Sequence, residues 1–219
     1  MNDQGPSQTS GGIAAIIGQP VDPQTVLHWY DFICPFCYIG QTRDAIFEDH
    51  GFAVVDLAFE IHPEIPIGGK LVGPRSGEMY ERLQKEADEA GLRLNWPERL
   101  PNSRLALAAA EWVRRNQPNA FREFSKSLFA AHFAERKDIG SQDVVSERAR
   151  RAGVSVDDMS QALDDQTAYL LVNETEMLGR RAGVHGTPAW LVGGRIVPGL
   201  LPRNTFVQIV EENLPVGKC

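Results

Sequence analysis

The stretch that most constrains how this chain can fold is TVLHWYDFICPFCYIGQTRDAIFEDHG, Thr25 to Gly51. Thr25 to Ile33 is dense in β-branched and aromatic residues, the composition of a strand. It runs directly into two cysteines, Cys34 and Cys37. Beyond them Ile39, Ala45 and Ile46 mark one face of a helix that starts near Cys34 and stops at Gly51. Pro35 suits that start, because the N–H it lacks would have had no intrahelical partner in a first turn. FAVVDLAFEIH, Phe52 to His62, reads as a second strand, so the chain opens as a strand-helix-strand unit.

From Pro63 to Gln166 the pattern turns helical. Helices are expected at Gly77 to Ala90, Ser103 to Asn116, Phe121 to Phe133, Ser141 to Ala152 and Ser155 to Asp164. Ser103 is the expected cap of the second of these, whose Leu105, Ala109, Trp112 and Val113 share one face and read as core. A helix from Tyr169 to Ala182 then leads to two short strands, Ala189 to Val192 and Arg195 to Val197. Gly193-Gly194 between them suits a tight hairpin, and Pro198-Gly199 ends the second strand. A last helix runs from Pro202 to Asn213.

Charge and cysteine usage narrow the function. With 22 Lys+Arg against 29 Asp+Glu the formal charge is -7, which argues against phosphate-backbone binding and so against nucleic acid as a partner. Residues 1–20 read as a flexible arm whose one apolar patch, IAAII, is too short for a signal-peptide core or a membrane span. A soluble, cytoplasmic protein with no membrane partner is expected. Three cysteines are too few for a disulfide scaffold. A structural zinc site needs four ligands, and no second Cys-x-x-Cys and no close His pair accompanies the first; His28, His50, His62, His132 and His185 are scattered. The expectation is therefore no metal and no cofactor. Cys219, the last residue, is expected to be a free thiol.

What remains is redox chemistry. Two residues three apart on a helix have Cα atoms about 5–6 Å apart on one face, within the span of a disulfide. A static bridge there would close so small a loop that it would constrain little. Cys34 stands at the helix N-terminus, where free N–H groups and the macrodipole favour an anion, so its thiolate should be the more accessible. Cys37, one turn further in, should resolve the mixed disulfide. Neither Pro35 nor Phe36 is charged, so stabilisation of the thiolate must come from the helix terminus and backbone donors.

CPFC after a hydrophobic strand, an inserted helical block and GTP opening a late hairpin together resemble the DsbA family of thiol-disulfide oxidoreductases. DFICPFCYIG, FEIHPEIP and NSRLALAAAEW are most similar to its FrnE-like branch, with Phe36 where that branch usually has Trp. The resemblance spans residues 25 to 212. It implies an α/β, thioredoxin-like fold with an inserted all-helical domain: residues 21–62 and 168–219 form one discontinuous domain around a mixed sheet, and residues 63–167 form the insert. It also implies that Thr187-Pro188 is cis and faces the cysteines, with Pro35, Phe36, Thr187 and Pro188 binding substrate. Thr187 would offer its N–H and C=O to an extended chain. His28, six residues before Cys34, stands where related proteins often bury an acid that takes the proton of the second cysteine, and an imidazole could relay it. Asp31 matches the branch pattern and is the second relay candidate. Tyr38 and Trp190 read as core or groove lining, and His185 as a rim residue.

The resemblance implies exchange of disulfides with protein thiols or with glutathione as a redox partner, and it leaves a homodimer open. A pair with a DsbA-like potential would be held reduced by cytosolic glutathione, by roughly 100 mV or more, and would act as a reductase or isomerase. A rival from another class is a glutathione-dependent isomerase or transferase of the kappa type, which shares the inserted-helix architecture. Those enzymes usually keep a single Ser or Cys, and Cys37 argues against that reading. A non-catalytic binding module would be expected to have lost a cysteine or Pro188, and this chain has kept all three.

Overall fold

The structure is a computed structural model that describes residues 13–18 and 22–214. Cys219 and most of the expected N-terminal arm lie outside the described residues. Strand β1 (Thr25–Tyr30) is buried at all six positions, as its continuous apolar character requires of a central strand. Strand β2 (Ala53–Ala58) runs parallel to it, with Thr25 opposite Ala53. On its other side β5 (Ala189–Val192) runs antiparallel, with His28 opposite Trp190, and β6 (Arg195–Pro198) closes the order β2-β1-β5-β6. The two ends of the sequence thus build one mixed sheet. Gly193 and Gly194 both take positive φ (54° and 78°), the geometry of a two-residue hairpin matched to strand twist. Pro198 still belongs to β6, where an edge strand tolerates a missing N–H.

Both faces of the sheet are covered. One carries α2 (Pro35–Asp49) and α9 (Arg203–Asn213), which bury Val26, Phe47, Trp190 and Phe206 in one cluster. The other face carries α1 (residues 13–17) and α8 (Thr167–Ala182) over Leu27, Trp29, Leu57 and Phe59. Between β2 and α8 lies the helical block: α3 (Glu78–Glu89), α4 (Arg104–Asn116), α5 (Pro118–Phe133), α6 (Gln142–Arg151) and α7 (Val156–Asp164). Its core is continuous with the cysteine motif, since Cys34, Cys37 and Tyr38 bury with Leu107, Phe129 and Phe133. This is a thioredoxin-like fold with an inserted helical domain.

Several local expectations are corrected. Residues 13–17, read as part of a flexible arm, form a helical turn; Ile17 is buried and the carbonyls of Ile16 and Ile17 accept from the Arg114 guanidinium. β2 ends at Ala58 rather than His62, because the next free backbone donors turn to side chains: Glu60 N–H to Glu176 and Ile61 N–H to Asp31. Ser103 makes no cap hydrogen bond; Asn102 Oδ1 instead accepts the Arg104 N–H at 3.0 Å. A small antiparallel pair, β3 (Lys70–Leu71) with β4 (Arg99–Leu100), was not expected from the sequence. It depends on Gly69, where a Cβ would lie 2.5 Å from the Leu100 carbonyl oxygen.

Candidate active site

Helix α2 begins at the cysteine motif. Cys34 is its N-cap, with extended backbone (φ -84°, ψ 114°), Pro35 follows in the first turn, and no side chain caps the end. The Cys34 carbonyl accepts the N–H groups of Cys37 and Tyr38, each at 3.1 Å, which closes the first turn. At the other end Gly51 (φ 83°) lets the Phe52 N–H return to the Phe47 carbonyl, a Schellman-type stop. Both cysteines are free thiols and both are buried, Cys37 completely. Pro35 and Phe36 between them are half-buried.

The two sulfurs differ in what surrounds them. Burial opposes ionisation of Cys34, yet the neighbouring Cys37 thiol, Thr187 and the Cys37 N–H outweigh it and hold its thiol below the ordinary range. Burial and the neighbouring Cys34 push the Cys37 thiol well above it. Cys34 therefore ionises first, and Cys37 keeps its proton and donates it in a hydrogen bond.

The hairpin supplies the opposite wall. The Thr187-Pro188 peptide is cis. The Cys34 thiol donates to the Thr187 carbonyl at 3.4 Å, and the buried Thr187 hydroxyl has no hydrogen-bond partner among the described residues. The approach of α2 to this wall is tight at Gly40. A Cβ on Gly40 would sit 3.3 Å from Trp190 Cη2 and 3.7 Å from Pro188 Cγ. Trp190 is fully buried core, and Tyr38 stacks on Phe133 while its hydroxyl donates to the Arg93 carbonyl. His185 is exposed beside the wall.

The two relay candidates part company. Asp31 is fully buried next to the motif: its carbonyl accepts the Cys34 N–H, and its carboxylate accepts the N–H groups of Ile33 and Ile61. Burial raises its carboxyl to about 6 despite those two donors, and its negative charge works against the Cys34 thiolate. His28 is drawn elsewhere. Its Nδ1 lies 2.7 Å from Asp56 Oδ1 and 3.2 Å from Asp44 Oδ2, its ring stacks on Trp190 at 4.4 Å, and its Nε2 has no partner among the described residues. Burial would lower the His28 pKa, but the two carboxylates overcome it and push it up to about 10. Sequence reasoning brought together Cys34, Cys37, Thr187, Pro188 and Asp31, but missed Gly40, Asp44 and Asp56. No local pattern marks Asp44 or Asp56, which come from α2 and β2 to meet a β1 side chain.

Residues 25–211 match the DSBA-like thioredoxin domain. The chain belongs to that family. Among curated proteins it is 23% identical over 186 residues to YwbO of Bacillus subtilis, an uncharacterised protein, covering 83% of this chain and 93% of that one. Several solved structures are similar to it. A "probable DsbA oxidoreductase" from Streptomyces coelicolor aligns with TM-score 0.75 at 20% identity, over 86% of this chain and 89% of that one. A 2-hydroxychromene-2-carboxylate isomerase aligns with TM-score 0.66 at 21% identity, over 86% and 93%. The cytosolic disulfide reductase DsbM from Pseudomonas aeruginosa, solved with GSH, aligns with TM-score 0.59 at 17% identity, over 86% and 95%. At these identities the likenesses speak to the fold. Among the described residues no helix is long and apolar enough to cross a membrane.

Proposed function

We propose that this DSBA-like protein is a thiol-disulfide oxidoreductase of the FrnE-like branch that exchanges disulfides through the Cys34-Cys37 pair. One observation carries the reading: a free Cys34 at the N-cap of α2, three residues from a second free thiol and against the Thr187 carbonyl that precedes the cis Pro188. In the reducing direction the Cys34 thiolate attacks a substrate disulfide, one substrate sulfur leaves as thiolate, and a mixed disulfide forms. Cys37 then loses its proton and attacks Cys34 Sγ, which releases the second substrate thiol and leaves a Cys34-Cys37 disulfide. Two electrons pass to the substrate, and the proton lost by Cys37 is taken up by a departing thiolate. Asp31, buried beside the motif and ionised at neutral pH, is better placed than His28 to accept that proton in transit.

Substrates are protein disulfides or glutathione disulfide, with Pro35, Phe36, Thr187 and Pro188 forming the contact surface. A cytoplasmic setting agrees with DsbM, a cytosolic disulfide reductase solved with GSH. The likeness to an isomerase supports a second reading, a kappa-type glutathione-dependent isomerase or transferase. The second thiol in the motif weighs against it. Insulin reduction and reduced-ribonuclease oxidation, run side by side on the wild type and Cys34→Ser, test the proposal. Loss of both activities in Cys34→Ser is expected. Equal activity of the two proteins would refute it.

A further inference from the structure

The His28-Asp44-Asp56 cluster lies outside the disulfide chemistry, and its construction is unusual for a structural ion pair. Three donors come from three different elements, β1, α2 and β2, and the ligand atoms of all three lie within 4.8 Å of one another. Each is fixed from behind. The imidazole stacks flat on Trp190 (interplanar angle 7°), and the same indole donates its Nε1–H to Asp44 Oδ1 at 2.8 Å, leaving Asp44 Oδ2 for His28. Held in this way, the imidazole and the two carboxylates present one nitrogen, once its proton is displaced, and two oxygens to a common point.

The cluster borders a cavity of about 40 Å³, room for a single ion or water. Tyr30 also lines it, and the Tyr30 hydroxyl, on a side chain that is 1% exposed, has no hydrogen-bond partner among the described residues. A buried phenol oxygen without a partner is costly unless something else occupies the space beside it. Asp56 is 30% exposed and gives the cavity a path to solvent. Arg122 and Lys126 border the mouth on exposed side chains, and Arg122 is paired with Glu48, so neither is fixed within the cluster.

We infer that His28, Asp44 and Asp56 form a binding site for one divalent first-row transition-metal ion, of which Mn²⁺ and Zn²⁺ are the class members to test. Donors at about 2.0–2.2 Å from a shared ion stand roughly 3 Å or more apart. The His28-Asp44 separation of 3.2 Å already meets this, and the His28-Asp56 contact of 2.7 Å opens by a few tenths of an ångström at the exposed member of the set. The ion replaces the proton that Nδ1 shares between the carboxylates. Imidazole nitrogen with two carboxylates suits Mn²⁺, Co²⁺ or Zn²⁺ better than Ca²⁺ or Mg²⁺, which take all-oxygen shells, and the lack of thiolate excludes a Cu(I) site. Trp190 is the supporting partner that orients both His28 and Asp44. The spacing of sixteen and twelve residues between the ligands matches no metal motif, so the sequence carries no sign of the site. An ion there would tie β1 and β2 to the helix that carries the cysteines.

The test uses the full chain carrying Cys219→Ser, oxidised so that Cys34 and Cys37 are bridged and cannot bind metal. Calorimetric titration with Mn²⁺, Zn²⁺ and Mg²⁺ should show one Mn²⁺ or Zn²⁺ per chain and no comparable Mg²⁺ binding. Asp56→Asn should weaken it at least tenfold. Asp56 is partly exposed, and in the unsubstituted site Mn²⁺ should also broaden the Trp190 indole N–H resonance, a readout that does not depend on the variant folding. No Mn²⁺ or Zn²⁺ binding up to about 1 mM, a range too weak to matter in a cell, would overturn the inference. So would binding that leaves the Trp190 signal sharp or that Asp56→Asn does not change.

Discussion

Removing Cys37 should weaken Cys34 as a nucleophile even before it removes the resolving step. The Cys37 thiol donates to Cys34, and that hydrogen bond leads the favourable contributions that outweigh burial. A hydrogen bond to an ionised group stabilises it by about 1.5–3 kcal/mol, and a weak S–H donor belongs at the low end. Losing about 1.5 kcal/mol shifts the thiolate equilibrium by a factor of about ten. Cys37→Ala should therefore slow alkylation of Cys34 by iodoacetamide about tenfold at a pH below the thiol's midpoint. Cys37→Ser, which keeps an O–H in the same place, should hold the rate within a factor of about three. Both variants are compared in a Cys219→Ser background, so Cys34 is the one cysteine left in the chain. Equal rates in Cys37→Ala and Cys37→Ser would refute the reasoning, because the donor would then contribute nothing and the helix terminus alone would set the reactivity.

Two further outcomes follow from burial and close approach. Gly40→Val should cost about 1–3 kcal/mol by forcing α2 away from Trp190 and Pro188, seen as a lower denaturant midpoint, with activity falling as the Cys34-Thr187 contact opens. His132, buried on α5, is held down to about 4 by burial and by Arg75. The unfolded chain protonates this group at higher pH than the folded one does. Its contribution is therefore whole above about pH 6.5 and is lost as pH falls toward 4, by roughly 3 kcal/mol at the acid end. Asp31 acts in the opposite sense over the same window, since its raised carboxyl favours the folded state as pH falls through about 6. The urea stability of the wild type minus that of His132→Leu, followed from pH 7 to pH 4, isolates the histidine and should fall steadily on acidification, by roughly 3 kcal/mol in all.

How much could be read from the sequence follows from what each feature depends on. β1, the α2 start at Cys34, the Gly51 stop and the Gly193-Gly194 hairpin are local: composition, a proline and paired glycines determine them within a few residues. The α4, α5 and α8 helices were legible from their apolar spacing. β3 and β4 were not, because two-residue strands have no period to detect and rest on a glycine approaching a carbonyl across the chain. His28 shows the limit most clearly. Its place in sequence, six residues before Cys34, suggested a proton relay, whereas its partners arrive from α2 and β2 and turn it toward Asp44, Asp56 and Trp190. Asp31 showed only a position before the motif. Its burial, and the two N–H groups that converge on its carboxylate, arise from the bend after β2.

The central claim is that Cys34 attacks and Cys37 resolves. The most direct measurement is mass-spectrometric mapping of the adduct trapped when variants lacking one motif cysteine, in a Cys219→Ser background, meet glutathione disulfide. Cys37→Ser should accumulate a stable mixed disulfide on Cys34. Cys34→Ser should leave Cys37 unmodified over the same time, because burial, the largest cause of its raised thiol pKa, remains when Cys34 is gone. A glutathione adduct forming as fast on Cys37 in Cys34→Ser, or none forming on Cys34 in Cys37→Ser, would contradict the account.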